Sequence, residues 1–390
     1  MEDPVSIVAD LLLGILLLFS VRRLLWVMAS WLPRRTRTEM GCWPEVLVAV
    51  AFRNEQDLLP RLLSSLNALN YDADRLSICL VDDASTDAGT DLAVAWARER
   101  AQVLLITLDR NVGKAEALNR ALASAHGRPD VMVVYDADQC PRPDSLRRLV
   151  EPFADPRTEA VCGYRRPVPH RINAIAAYAC LEAWTYQLVN LAAKDALGFN
   201  PPTMGGNCAY RRPALERIGG FPAGSFSEDI EVSLALAGGG GRTRFVYAAV
   251  SDDAVAASCR HYFNQRLRWS RGLAASRRHA RGLEAAFVTA GYFDRMVLLP
   301  VIACIVGGVI SPRWLVVYGV PASIAVVTAV VRARPDPWLA CTALAVIPAM
   351  FVVDVLISMV AAVHSITRRR MLWLDRRTAG DRPAGSAGLH

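Results

Sequence analysis

The chain has 390 residues, enough for one large or two ordinary domains, and its 53% hydrophobic content and mean hydropathy of +0.23 are high for a soluble protein. Its net charge is +7, and only Lys114 and Lys194 are lysines among 44 basic residues; these cluster beside apolar segments, which membrane orientation explains and which leaves no recognisable nucleic-acid-binding module. The nine cysteines are scattered without a CxxC pair, which excludes a disulfide or zinc framework and reads as reduced thiols.

The first apolar run, VSIVADLLLGILLLFS (5–20), is broken only by Asp10, and LLWVMASWL (24–32) extends it. A bilayer core needs about 20 apolar residues, so residues 1–32 are expected to form one N-terminal transmembrane helix. The opening MEDP is acidic, unlike a secretory signal peptide. Arg22, Arg23, Arg34, Arg35 and Arg37 follow, and the positive-inside rule then places the middle of the chain in the cytoplasm.

Four short runs rich in Val, Ile and Leu come next: EVLVAVAF (45–52), LSICLVDD (76–83), VLLITLD (103–109) and VMVVYDAD (131–138). None alternates strictly, as expected of strands buried on both faces. Helix-like stretches separate them: DLLPRLLSSLNAL (57–69), AGTDLAVAWARERA (88–101) and KAEALNRALASA (114–125). This rhythm predicts an α/β fold, a Rossmann-like, mainly parallel sheet. Ligands bind such sheets at the carboxyl ends of the strands. Here those ends carry Asp82-Asp83, Asp109 and Asp136-Asp138.

Each acidic cluster has a chemical and a structural reading. In DDAST (82–86) an aspartate can accept hydrogen bonds from a base or ribose, or cap a helix. In DAD (136–138) two carboxylates at i and i+2 can converge on one hard cation, Mg²⁺ or Mn²⁺, which shares its oxygen ligands with phosphates. NVGKAEALN (111–119) opens a helix with Lys114 at its N-terminus, where a phosphate is favoured, although no Walker loop is present. SED (227–229) either caps the helix IEVSLAL or offers a catalytic base. In QRLRW (265–269) an arginine fork suits a diphosphate and an indole offers an apolar face to a sugar ring.

Three further apolar segments follow, at 296–311, 314–331 and 338–363, giving four expected spans. Four spans return the C-terminus to the outside, whereas Arg368, Arg369, Arg370, Arg376 and Arg377 argue for the inside, so one segment is expected to lie in the interface or re-enter. Asp354 falls within the last segment, where a carboxylate costs roughly 3 kcal/mol, and is either functional or held by a polar neighbour.

In order, Asp83, DAD (136–138), SED (227–229) and QxxRW (265–269), with GGNCAYRR (205–212) between them, resemble the membrane-integrated inverting glycosyltransferases of family 2, which include cellulose, chitin, hyaluronan and poly-N-acetylglucosamine synthases and ceramide glucosyltransferases. The resemblance implies a GT-A catalytic domain over 45–280, cytoplasmic, between the helix at 1–32, a C-terminal membrane region at 281–366 and a basic tail at 367–390. It implies transfer from a nucleotide-sugar, a UDP-sugar, to a glycan acceptor at a bacterial cell membrane that the chain crosses several times. The acceptor is otherwise a lipid hydroxyl, and a non-catalytic nucleotide-sugar-binding subunit is the remaining alternative.

The resemblance also implies roles. Asp229 is the general base and Glu228 its supporting neighbour. Arg53, Glu55, Asp83, Lys114, Asp136 and Arg268 hold the nucleotide-sugar. Asp136 and Asp138 bind Mg²⁺ or Mn²⁺. Gln265, Trp269, Gly206 and Asn207 line the acceptor and exit side. The chain departs from the family at its first strand, where AFRNE (51–55) replaces a Pro-x-Tyr-Asn-Glu pattern and Arg53 stands for the tyrosine.

Overall fold

The computed structural model describes residues 4–32, 40–125, 129–225, 227–276 and 297–366. These divide into two compact units. One holds the described residues of 40–170 and 198–255; the other holds 4–32, 171–197 and those from 256 to 366.

The first unit is built on an eight-stranded sheet. Its strands are β1 (Val46–Phe52), β2 (Leu76–Asp82), β3 (Val103–Thr107), β4 (Val131–Val134), β5 (Gln139–Pro141), β6 (Thr158–Val168), β7 (Cys208–Arg211) and β8 (Arg242–Ala254), in the order β3-β2-β1-β4-β7-β6-β8-β5. The first four are mutually parallel, with Val46 opposite both Leu76 and Val131. β7 runs antiparallel to β4 and β6, while β6 and β8 are parallel. The reversal of β7 brings the loop before it to the edge where β1, β2 and β4 end.

The expected burial holds for β1 and β4. Val46 through Val50 and Val131 through Val134 are all buried. Val46, Val48, Val50 and Phe52 share a core with Leu59, Leu62 and Leu66 of the helix Leu59–Asn67 and with Leu146 and Leu149 of the helix Ser145–Val150. Full burial of one such leucine is worth about 2 kcal/mol. β3 departs from the expectation: its residues are only partly buried, because it is the sheet's edge and has a single neighbour. The run at 131–138 also ends earlier than its apolar character implies. The strand stops at Val134, and Tyr135–Asp138 form the turn into β5.

In the second unit the two N-terminal apolar runs form one helix, Pro4–Ser30, despite Arg22 and Arg23. Arg23 is accommodated by Tyr318, to whose hydroxyl it donates at 3.0 Å and whose ring centroid lies 4.3 Å from the guanidinium. Ser6–Ser30 and Trp314–Ala333 are each long and apolar enough to cross a membrane. The helices Pro337–Ala345 and Ile347–Ala361 make a third candidate only as a pair bent by 58°. The continuous segment expected over 338–363 is thus broken, beside Pro348, which lacks an N–H and crowds the preceding turn. Of 296–311, the described residues form a shorter apolar helix, Val297–Val306, that adjoins residues outside the described ones, so two or up to three candidates stand among the described residues where four were expected.

The helix Ala174–Trp184 continues through a π-helical stretch, Thr185–Leu191, into Ala192–Leu197. Asp354 is buried and accepts hydrogen bonds from the hydroxyls of Tyr178 and Tyr262, each at 2.7 Å. It is therefore held by polar neighbours, one of the two expected outcomes. The tail after residue 366 lies outside the described residues.

Candidate active site

Two loops meet where β1 and β2 end. Asn54 accepts a hydrogen bond from Thr86 N at 2.8 Å, and its own N–H donates to Ser85 Oγ at 3.1 Å. Asn54 and Ala84 both adopt left-handed backbone (φ 54° and 58°), a conformation that costs on the order of 1 kcal/mol or more outside glycine and gathers at functional loops. Arg53 is exposed beside this junction and Glu55 is partly buried.

Asp82 and Asp83 are buried and engaged. Asp82 accepts from Ser85 N at 2.9 Å and from Thr90 Oγ at 2.5 Å. Asp83 accepts from Val112 N at 2.7 Å and Gly113 N at 2.9 Å. Asp83 thereby shapes the NVGK loop, in which Gly113 has φ +87°, and starts the helix Lys114–Ser124 at the right place.

That places Lys114 at the centre of the site. Its Nζ lies 2.5 Å from Asp136 Oδ1, 2.8 Å from the Gly205 carbonyl and 3.6 Å from Glu228 Oε1. One cation thus joins the DAD turn, the glycine loop and the SED helix. The glycines are required by space. A Cβ on Gly206 would stand 2.6 Å from Asp136 Oδ2 and 2.7 Å from Gln139 Oε1, and Gly205 has φ +79°. Asn207 lies beneath them, fully buried; its amide donates to the Tyr164 and Ala249 carbonyls at 3.2 and 2.9 Å. It ties the glycine loop to β6 and β8.

Asp229 stands in the first turn of the helix Glu228–Gly238. Ser227 is the N-cap residue of this helix, as the capping reading of SED expects, but its side chain makes no cap hydrogen bond. A helix N-terminus favours ionised carboxylates. Burial outweighs it: burial first, then the Glu228 charge, push Asp229 up to about 7, against the opposing pull of Lys114. A carboxylate poised near neutrality is suited to taking a proton.

Two charged residues without a recognisable local pattern complete the cluster. Arg165 of β6 reaches Asp253 Oδ2 of β8 at 2.9 Å and Asp136 Oδ2 at 3.6 Å, and donates to the Met204 carbonyl. Burial, opposed by Arg165 and reinforced by Asp138 and Asp136, raises Asp253 to about 7. No local signal marks either residue, since both lie inside strands and meet only through the pairing of β6 with β8.

The acids fit a hard divalent cation. Asp253 Oδ1 is buried without a hydrogen-bond partner, close enough to Asp136 and Asp138 for their charges to add to the effect of burial on it. Among the described residues no three His, Cys, Asp or Glu side chains form a closed cage. Mg²⁺ or Mn²⁺ commonly takes only one or two protein carboxylates when phosphate oxygens complete its shell. Asp136 and Asp138 are the residues that would hold it.

Gln265, Arg268 and Trp269 lie on the helix Cys259–Ser276, in the second unit. Trp269 is 40% exposed. The structure therefore brings Asp83, Lys114, Asp136, Gly206, Asn207, Glu228 and Asp229 together within one unit, and holds Gln265, Arg268 and Trp269 together in the other.

Residues 47–219 match the family model described as glycosyl transferase family 2. The chain is 28% identical over 240 residues to a probable glycosyltransferase, YdaM, of Bacillus subtilis (strain 168), covering 60% of this chain and 57% of that protein. It is 27% identical over 204 residues to a beta-monoglucosyldiacylglycerol synthase of Synechocystis sp. (strain ATCC 27184 / PCC 6803 / Kazusa), covering 50% of this chain and 40% of that one. The chain thus spans about half the length of these relatives. Its fold is similar to that of the mannosyltransferase PcManGT from Pyrobaculum calidifontis, solved in complex with GDP-Man and Mn²⁺, with a TM-score of 0.66 over 94% of this chain and 99% of that chain at 22% identity. A mainly parallel sheet with its acids at the carboxyl ends of the strands, a match of residues 47–219 to the glycosyl transferase family 2 model across most of that sheet, and a fold shared with a mannosyltransferase converge on a GT-A fold.

Proposed function

We propose that the chain is an inverting glycosyltransferase that moves a sugar from a nucleotide-sugar, a UDP-sugar, to a glycan acceptor at the membrane, forming a β-linked oligo- or polysaccharide. The observation that carries this reading is Lys114 joining Asp136 to Glu228 and the Gly205 carbonyl, with the Asp229 carboxylate facing Gly205.

In this reading Asp83 and Lys114 arrange the donor end of the site, with Arg53 and Glu55 at the nucleoside. Asp136 and Asp138 would hold a divalent cation, which when bound would neutralise charge on the diphosphate. Lys114 lies within reach of the same charge. Asp229 takes the proton from the acceptor hydroxyl as its oxygen attacks the anomeric carbon from the face opposite the nucleotide. Glu228 keeps the affinity of Asp229 for that proton high. Arg268 serves the diphosphate, while Gln265 and Trp269 receive the acceptor. Stabilisation of the leaving charge is the largest single contribution expected.

The candidate spans, and the arginines that follow the first of them, support a multi-pass protein of the cell membrane with its catalytic unit in the cytoplasm. A second reading, one sugar added to a lipid hydroxyl, is favoured by the similarity to the beta-monoglucosyldiacylglycerol synthase. Membranes containing the protein, incubated with labelled nucleotide-sugars and Mn²⁺, separate the two. A ladder of water-soluble or lipid-linked glycans supports the first, and a single sugar in the lipid extract supports the second. Absence of transfer from every donor, by folded protein, would instead support a non-catalytic nucleotide-sugar-binding subunit.

A further inference from the structure

Between Gln265 and Arg268 lies an arginine to which the family-based reading gives no role. Arg266 is largely buried, with its side chain 11% exposed. Its Nε and Nη2 both reach Glu182 Oε2, at 2.8 and 2.7 Å. Its Nη1 donates to Gln265 Oε1 at 3.1 Å. Its guanidinium lies 4.3 Å from the Trp269 ring centroid and 4.7 Å from that of Tyr262. One planar group therefore touches both Gln265 and Trp269.

Glu182 is itself anchored. It sits on the helix Ala174–Trp184 and accepts from the Tyr262 hydroxyl at 2.6 Å. The same hydroxyl lies 2.7 Å from Asp354 Oδ1, whose other oxygen accepts from Tyr178. Three helices of the second unit thus meet in one polar cluster. A guanidinium held by an ion pair and stacked on aromatic rings has few orientations left, because its fork and plane are both engaged. Lysine would keep the charge at Glu182 but not the plane against the indole.

We infer that Arg266, fixed by Glu182, is a positioning residue that sets the side-chain orientations of Gln265 and Trp269 for the acceptor. The inference rests on the reading of those two residues as the acceptor side of a glycosyltransferase. Glu182 and Arg266 touch neither the donor nor the reacting atoms in this assignment.

The test is hydroxyl-radical footprinting of the full-length protein in detergent, read by mass spectrometry at single tryptophans, followed by kinetics. In Arg266→Lys and Glu182→Gln the oxidation of Trp269, already 40% exposed, is expected to rise up to about twofold. Trp96, which stacks against Arg100 at 4.7 Å, is the internal control and stays unchanged. The acceptor KM is expected to rise about tenfold, with nucleoside diphosphate affinity retained. Unaltered Trp269 oxidation in both folded variants would overturn the inference, as would a fall in thermal stability with wild-type kinetics per folded molecule. Footprinting needs no turnover, so a wild-type protein that transfers no sugar counts against the proposed function alone. Should Arg266→Lys not fold, Glu182→Asp, which retains the charge at shorter reach, is expected to give a smaller rise in Trp269 oxidation than Glu182→Gln.

Discussion

The ammonium of Lys114 lies 2.5 Å from Asp136 Oδ1, and both side chains are largely buried, at 14% and 12% exposure. The loop that delivers Lys114 is held by Asp83 from another strand, so the contact reports the alignment of two strand ends. Removing one partner of such a pair strands the other in a poor solvent. Lys114→Met is expected to lower stability by about 3 kcal/mol and to weaken nucleoside diphosphate binding at least tenfold. It also deletes the charge that pulls the Asp229 pKa down, so the acid limb of any remaining activity moves to higher pH. Urea unfolding and a pH–rate profile of the one variant check all three effects.

Asp229→Asn removes the proposed proton acceptor and leaves its shape. Turnover is expected to fall by roughly 10³-fold or more, within the usual worth of a positioned base, while nucleotide affinity changes little. Equilibrium binding of the nucleoside diphosphate beside single-turnover transfer makes the comparison. Parallel loss of both would remove Asp229 from the role of base.

The raised pKa of Asp229 also sets a pH dependence with a definite sign. In the native state the carboxyl titrates at about 7, above its ordinary 3.8, so between these values the native state binds more protons than the unfolded state. Stability from this group is therefore fully present below its unfolded pKa and falls as pH rises through about 7. A base at Asp229, as proposed, acts in its ionised form, so kcat/KM is expected to rise through the same range. Asp229→Asn is thus expected to be more stable than the wild type at pH 8, by several degrees in Tm, and to lose that advantage toward pH 4. Calorimetry of both proteins at the two pH values gives the answer.

Gly206 leaves no room for a methyl group, since a Cβ would stand 2.6 Å from Asp136 Oδ2. Gly206→Ala is expected to displace the DAD turn, costing about 1–3 kcal/mol and most of the Mn²⁺ dependence of nucleotide binding. Gly238, at the end of the helix Glu228–Gly238, has nothing within 4 Å of such a carbon. Gly238→Ala is expected to be neutral or stabilising by up to about 1 kcal/mol. Paired melts and Mn²⁺ titrations distinguish a specific clash from a general intolerance of alanine.

The parallel half of the sheet was legible in the chain because its signal is local. A strand buried on both faces is a continuous apolar run, and the acid that ends it marks the edge where chemistry belongs; β1, β2, β4, Asp83 and Asp136 were placed this way. β3 shows where this fails, because an edge strand and a central one carry the same apolar letters. The two helices long and apolar enough to cross a membrane were legible by hydropathy, whereas the break before Pro348 interrupts a run that reads as one continuous apolar segment.

The sequence by itself determined the apolar periodicities, the acids at strand ends and the order of the four motifs, all properties of neighbouring residues. Only the tertiary structure decided that Lys114 bridges Asp136 and Glu228, that Arg165 and Asp253 join them, and that Glu182 holds Arg266. The physical reason is separation along the chain. Arg165 and Asp253 meet because β6 lies parallel to β8, and Glu182 meets Arg266 because two helices pack, so no local pattern of residues encodes either contact. The same holds for the proton affinity of Asp229, which follows from burial beside Glu228 and exists only once the chain has folded.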